Sequence, residues 1–119
     1  MEKIKSLCVM RELVKALSQL ENQLVEKFGV SLNEAMALCS LSDGTLTASE
    51  ISELIGLAPS HTSKVIRSIE DKGFINRTLG KEDKRTMFFE LTESGFATIA
   101  KIKEDGVEIP ELLAPLFRK

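Results

Sequence analysis

At Gly73 the chain changes its period, and that change constrains the fold more than any other feature. Before it, from Pro59, apolar residues at Val65, Ile66 and Ile69 recur at helical spacing, which leaves Ser60, Ser63, Lys64 and Arg67 on the opposite face. Pro59 suits a first helical position, where its missing N–H costs nothing, and Gly73 suits the C-terminal stop. After it, Phe74-Ile75-Asn76-Arg77-Thr78 and Met87-Phe88-Phe89-Glu90-Leu91 are β-favouring runs around the polar segment Gly80-Lys81-Glu82-Asp83-Lys84. Met87, Phe89 and Leu91 alternate towards one face. The segment therefore reads as a helix, a glycine stop and a β-hairpin with a cationic tip.

Charge is distributed unevenly around this segment. No Lys or Arg occurs between Lys27 and Lys64, whereas Lys64, Arg67, Lys72, Arg77, Lys81, Lys84 and Arg85 fall within 22 residues. Four carboxylates, Glu70, Asp71, Glu82 and Asp83, share that stretch, a local excess of three cations in a chain whose net charge is −2. The total argues against an indiscriminate polyanion binder, while the local concentration marks one cationic surface.

The flanking chain supplies helices. From Ile4 to Phe28, apolar residues at Ile4, Leu7, Cys8, Val14, Leu17, Leu20, Leu24 and Phe28 follow spacings of three and four, predicting a long amphipathic helix that Gly29 ends. Its stripe exceeds what one small domain needs, so a second subunit is the natural partner. Ser31-Leu32-Asn33-Glu34 has capping-box spacing and opens a second helix through Ala35, Met36, Leu38, Cys39 and Leu41, ended by Ser42-Asp43-Gly44. Thr47-Ala48-Ser49-Glu50 repeats that spacing and opens a third, through Ile51, Leu54 and Ile55 to Gly56. Gly56-Leu57-Ala58-Pro59 then forms a tight turn, making the third and fourth helices a helix-turn-helix, and the hairpin after it makes this a winged helix-turn-helix. Beyond Thr92-Glu93-Ser94-Gly95, a further helix carries Phe96, Ile99, Ala100 and Ile102. The tail VEIPELLAPLFRK is limited to short helical pieces by Pro110 and Pro115 and is expected to pack in a dimer interface.

A polar-faced helix followed by a basic hairpin suits double-stranded DNA, the helix entering the major groove and the hairpin reaching the backbone or minor groove. The candidate contacts are Ser60, His61, Ser63, Lys64 and Arg67 on the helix and Lys81, Lys84 and Arg85 on the hairpin. The bland alternative for Arg67 is an ion pair with Glu70 or Asp71 at helical spacing. His61, the only histidine, has no carboxylate–serine or metal-ligand pattern around it and is assigned to DNA or cap contact. No catalytic constellation, metal site or cofactor motif is expected: Cys8 and Cys39 have no CxxC spacing and are too few for a disulfide framework. With no apolar run near the roughly 18 residues of a membrane span, a cytoplasmic, non-enzymatic protein without membrane association is expected.

Gly73-Phe74-Ile75-Asn76-Arg77, then Glu82-Asp83-Lys84-Arg85, then Leu91-Thr92-Glu93-Ser94-Gly95 resemble, in order and spacing, the MarR family of bacterial winged-helix transcriptional regulators. The resemblance spans about Leu32 to Ile102, and its most specific part is the Asp-x-Arg wing with the Leu-Thr-x-x-Gly exit. It implies a mainly α fold with a small antiparallel hairpin wing, and a homodimer whose N- and C-terminal helices interlock. It implies one winged-helix domain over 1–119, with 31–95 the DNA-binding core and 1–30 and 96–119 the dimerisation helices. Arg85 matches the wing arginine that reaches the minor groove, Asp83 the acid that orders the wing, and Arg77 the strand arginine near the DNA backbone. A repressor of transcription on a palindromic operator follows from the resemblance. So does a small aromatic or phenolic effector held between the DNA-binding and dimer regions, which no residue here specifies.

The chain departs from the family pattern at Thr62, where an apolar residue is usual, at Arg67-Ser68, and in its short C-terminal region. In some peroxide-sensing members a cysteine on the first helix is the sensor, which needs a lowered thiol pKa from nearby donors or cations. This chain contains no tyrosine to donate, so Cys8 is expected to serve helix packing, and Cys39 to lie in an apolar run. The alternative to an operator-binding regulator is a winged-helix module for protein–protein contact, which an acidic or apolar fourth-helix face would have favoured.

Overall fold

The computed structural model describes residues 2–117. It contains α1 (Glu2–Phe28), α2 (Leu32–Ser40), α3 (Ala48–Ile55), α4 (Pro59–Asp71), β1 (Ile75–Leu79), β2 (Met87–Leu91), α5 (Glu93–Asp105) and α6 (Ala114–Phe117), with short 3-10 turns at Leu41–Asp43 and Glu111–Leu113. The chain divides into two compact units, one formed by the residues up to Leu32 with those from Gly106 onward, the other by Asn33–Asp105. No helix among the described residues is long and apolar enough to cross a membrane.

In the first unit, α1 runs unbroken to Phe28, and the Gly29 N–H donates to the Val25 carbonyl at 3.0 Å. The tail folds back against this helix, with the 3-10 turn Glu111–Leu113 packed on α1. Gln23 fixes the return through its side-chain amide, which donates to the Glu108 carbonyl at 2.7 Å and accepts from the Glu108 N–H at 2.6 Å. Ala16, Leu20, Leu24 and Leu113 are buried. The N-terminal part of the α1 stripe is not: Leu7 is 70% exposed and Val14 63%, and Leu116 of the tail is 79% exposed. Cys8 is exposed as well, so its expected packing role fails within a single chain.

In the second unit, the predicted capping box of α3 is present. Thr47 Oγ1 accepts from the Glu50 N–H at 3.2 Å, and Glu50 Oε1 accepts from the Thr47 N–H at 2.9 Å. α2 begins at Leu32 and differs from expectation at its C-terminal end, closing at Ser40 and passing into the 3-10 turn at Leu41–Asp43. Glu34 is buried, and its carboxylate also meets Ser68 and Lys72. Cys39 is exposed because Ala37 and Leu38 take the inward positions of that helix. Leu38, Leu41, Ile51, Val65, Ile66 and Ile69 form the helical part of the core.

β1 and β2 pair antiparallel with Arg77 opposite Phe89, and Phe89 and Leu91 point into the core as the alternation requires. The sheet gains an extra bridge that the sequence pattern did not reveal: Leu46 and Phe89 exchange both backbone hydrogen bonds, at 3.1 and 2.8 Å. Two glycines carry the turn into and out of the hairpin. Gly73 has φ 80°, a left-handed conformation that lets the Phe74 N–H return to the Ile69 carbonyl at 3.0 Å. Gly95 sits where a Cβ would lie 2.1 Å from the Phe74 carbonyl oxygen, so α5 approaches the strand more closely than any side chain permits.

Candidate nucleic-acid interface

α4 is anchored from behind and open in front. Val65, Ile66 and Ile69 are buried as the period predicted, and Thr62 is buried with them, its Oγ1 without a hydrogen-bond partner among the described residues. Ser60, His61, Ser63, Lys64 and Arg67 are all exposed on the remaining face. The turn before α4 is held by Ser52, whose hydroxyl donates to the Leu57 carbonyl at 2.6 Å while its own carbonyl accepts from the Gly56 and Leu57 N–H groups. Nothing in the sequence pattern marked Ser52 as the lock of that turn. Pro59 begins the helix and Ala58, the N-cap, provides no side-chain acceptor, so the first turn is left without a side-chain cap.

The hairpin tip is organised by Asp83. Its Oδ1 accepts from the Arg85 N–H at 2.9 Å, its Oδ2 from the Thr86 hydroxyl at 3.1 Å, and its backbone carbonyl from the Thr86 N–H at 3.1 Å. The bond from the Arg85 backbone, followed by that from Thr86, holds the Asp83 carboxyl below the usual carboxylate range. Arg85 Nε lies 3.5 Å from Asp83 Oδ1, yet its side chain remains 94% exposed. Asp83 thus closes the turn while the Arg85 guanidinium stays in solvent. Gly80 belongs to the same turn, since a Cβ there would lie 2.7 Å from the Asp83 carbonyl oxygen.

Apart from Arg85, beside Asp83, the cations of the segment separate into two groups. Lys72 Nζ lies 2.8 Å from both carboxylate oxygens of Glu34. Arg77 donates to Glu70 through Nε at 2.6 Å and through a terminal nitrogen at 3.0 Å, with its guanidinium carbon 5.7 Å from the Phe89 ring centre. The hydrogen bond from Arg77 is the main cause that holds the Glu70 carboxyl below its ordinary range, and the same bond raises the Arg77 pKa. Glu70 is therefore occupied by Arg77 rather than by Arg67, although the charge of Arg67 adds slightly to its acidity. Lys64, Arg67, Lys81 and Lys84 make no ion pair among the described residues. The second unit thus presents an exposed helix face and a cationic turn, which can hydrogen-bond base edges and attract phosphate.

Residues 30–87 match the model of the MarR family. Among curated relatives, an uncharacterized HTH-type transcriptional regulator, YfiV of Bacillus subtilis (strain 168), is 31% identical over 81 residues, which cover 67% of this chain and 51% of the relative. The organic hydroperoxide resistance transcriptional regulator of the same organism is 29% identical over 97 residues, covering 81% of this chain and 63% of its own length. The chain thus spans between half and two thirds of these two proteins. Among solved structures, a mutant of E. coli MarR in complex with operator DNA superposes with TM-score 0.77 at 18% identity, covering 87% of this chain and 74% of that one, and it shares the winged-helix fold.

Proposed function

From the match of residues 30–87 to the MarR family model, we propose that this chain is a sequence-specific DNA-binding regulator of transcription that acts as a homodimer on a palindromic operator. The observation that carries the proposal is the division of α4, with four consecutive-turn positions buried and Ser60, His61, Ser63, Lys64 and Arg67 exposed, beside a wing whose Arg85 side chain is 94% exposed. The helix face reads base edges in the major groove and the wing reaches the backbone and minor groove. Pairing with Glu70 limits Arg77 to a supporting place near the DNA backbone. Repression by occlusion and a cytoplasmic location complete the reading. Structural neighbours named in complex with DNA, one from E. coli and others from S. aureus, support it.

The homodimer reading rests on the uncovered apolar residues Leu7, Val14, Leu17 and Leu116, since monomers rarely leave a contiguous apolar surface of this kind in water. A small aromatic effector has an apolar place in the second unit, in a depression of about 210 Å³ lined by Ala35, Met36, Cys39, Ile99, Ile102 and Lys103. Phenol added to labelled protein should shift the methyl signals of Met36 and Ile99, and unchanged signals would remove that site. Selection of bound fragments from a random DNA pool tests the function itself. Enrichment of an inverted repeat supports it, and failure to enrich any sequence favours a protein-contact module instead.

A further inference from the structure

The carboxylate of Glu34 is almost wholly removed from water, with a side chain 7% exposed, and both its oxygens are bound at the C-terminal end of α4, by Ser68 and by the C-cap residue Lys72. Lys72 Nζ lies 2.8 Å from each oxygen, and Ser68 Oγ donates to one of them. Ser68 and the C-cap Lys72, which keeps helical φ and ψ, are four residues apart, so they stand one above the other at the end of α4 and grip a single carboxylate of α2. Lys64 continues the same row one turn earlier and is exposed. The apolar contacts of Val65, Ile66 and Ile69 hold α4 at its depth. Such contacts are non-directional and tolerate some roll about the helix axis, whereas a two-residue grip on a buried charge does not.

The geometry points to Glu34 as a positioning residue for DNA recognition: through Ser68 and Lys72 it fixes the rotation of α4, and thereby which way Ser63, Lys64 and Arg67 point. This rests on the proposed DNA-binding reading. Side chains stand about 5–6 Å from a helix axis, so a roll of about 20° moves their outer atoms by about 2 Å. A recognition site tolerates about 0.5 Å. Glu34 has a second effect of opposite sign. It neutralises Lys72, so removing its charge releases a cation towards a polyanion and favours binding to any DNA.

These two effects separate positioning from simple support. Glu34→Gln keeps the shape and an oxygen for Ser68, while Lys72, whose side chain is 36% exposed, can turn to water. Operator affinity should fall about tenfold while affinity for scrambled DNA stays level or rises with a steeper salt dependence. Lys72→Met should also lose discrimination, and Lys72→Arg should restore it to within about threefold of wild type. All are measured by fluorescence titration of the full chain with a selected operator and its scrambled version, below the melting temperature of every variant. Equal losses on both DNAs would show that Glu34 only supports the fold, and discrimination equal to wild type in Glu34→Gln would likewise overturn the proposal. If wild type itself fails to discriminate, the DNA-binding reading falls and this inference falls with it.

Discussion

Arg77 and Glu70 clasp β1 to the last turn of α4, through two hydrogen bonds of 2.6 and 3.0 Å. The arginine also lies over the Phe89 ring across the strand pair, so one guanidinium joins α4, β1 and β2. This geometry explains why a basic residue in a basic segment is not simply available to DNA.

The pair has a pH signature. The Glu70 carboxyl is depressed chiefly by the bond from Arg77, so the support it provides is fully present above the ordinary glutamate range and is lost as pH falls through its lower folded value. The raised Arg77 pKa has its consequence only at strongly alkaline pH. Carbon-detected titration should give Glu70 a midpoint below the ordinary value of about 4.3. Arg77→Ala should return it to that range. A midpoint already ordinary in wild type would mean that the clasp is not formed in solution.

Gly95→Ala is expected to be strongly destabilising. The added methyl would meet the Phe74 carbonyl at 2.1 Å and Leu91 at 3.1 Å, so α5 must back away from the hairpin. Overpacking of this kind costs about 1–3 kcal/mol, and backbone on one side leaves little room to yield. Chemical denaturation should show the loss. A variant as stable as wild type would contradict the close approach.

Thr62→Val should do the reverse. The Thr62 hydroxyl is buried without a partner, so replacing it by a methyl of similar size removes a desolvated polar group. A gain of about 1 kcal/mol in unfolding free energy is expected. A clear loss would show that the hydroxyl has a partner, such as a bound water.

Association is read by sedimentation. A dimer mass at micromolar concentration is expected, and Leu7→Asp with Val14→Asp should shift it to monomer without loss of helicity, because both side chains are more than half exposed in the single chain. A monomer mass for wild type would contradict the homodimer.

What the sequence made legible follows from local physics. The α3 capping box, the buried stripe of α4 and the alternation of Phe89 and Leu91 each arise from residues close along the chain, and each is present. The partners of Glu34 and Arg77 lie at separations of 38 and 7 residues, across elements whose mutual approach no periodicity encodes. Glu34 has the spacing of a capping residue, and nothing in that local spacing signals that Ser68 and Lys72 also meet its carboxylate. The Leu46–Phe89 bridge is one residue wide and too short to show alternation. Cys39 lies in an apolar run, but Ala37 and Leu38 take the inward positions of its helix, and Cys8 lies in the α1 stripe, whose N-terminal part nothing covers in the single chain.

Binding titrations of wild type, Arg67→Ala and Arg85→Ala against operator and scrambled DNA at several salt concentrations test the central claim most directly. Arg67→Ala should relax preference at one or two operator positions, by about 1–3 kcal/mol if its guanidinium holds a guanine. Arg85→Ala should weaken binding to both DNAs alike and flatten the salt dependence by about one phosphate contact or less. Both variants should remain folded, since both side chains lie in solvent. Unchanged affinity of folded, dimeric Arg85→Ala for both DNAs, at every salt concentration, would contradict the assignment of the wing as a DNA-contacting element.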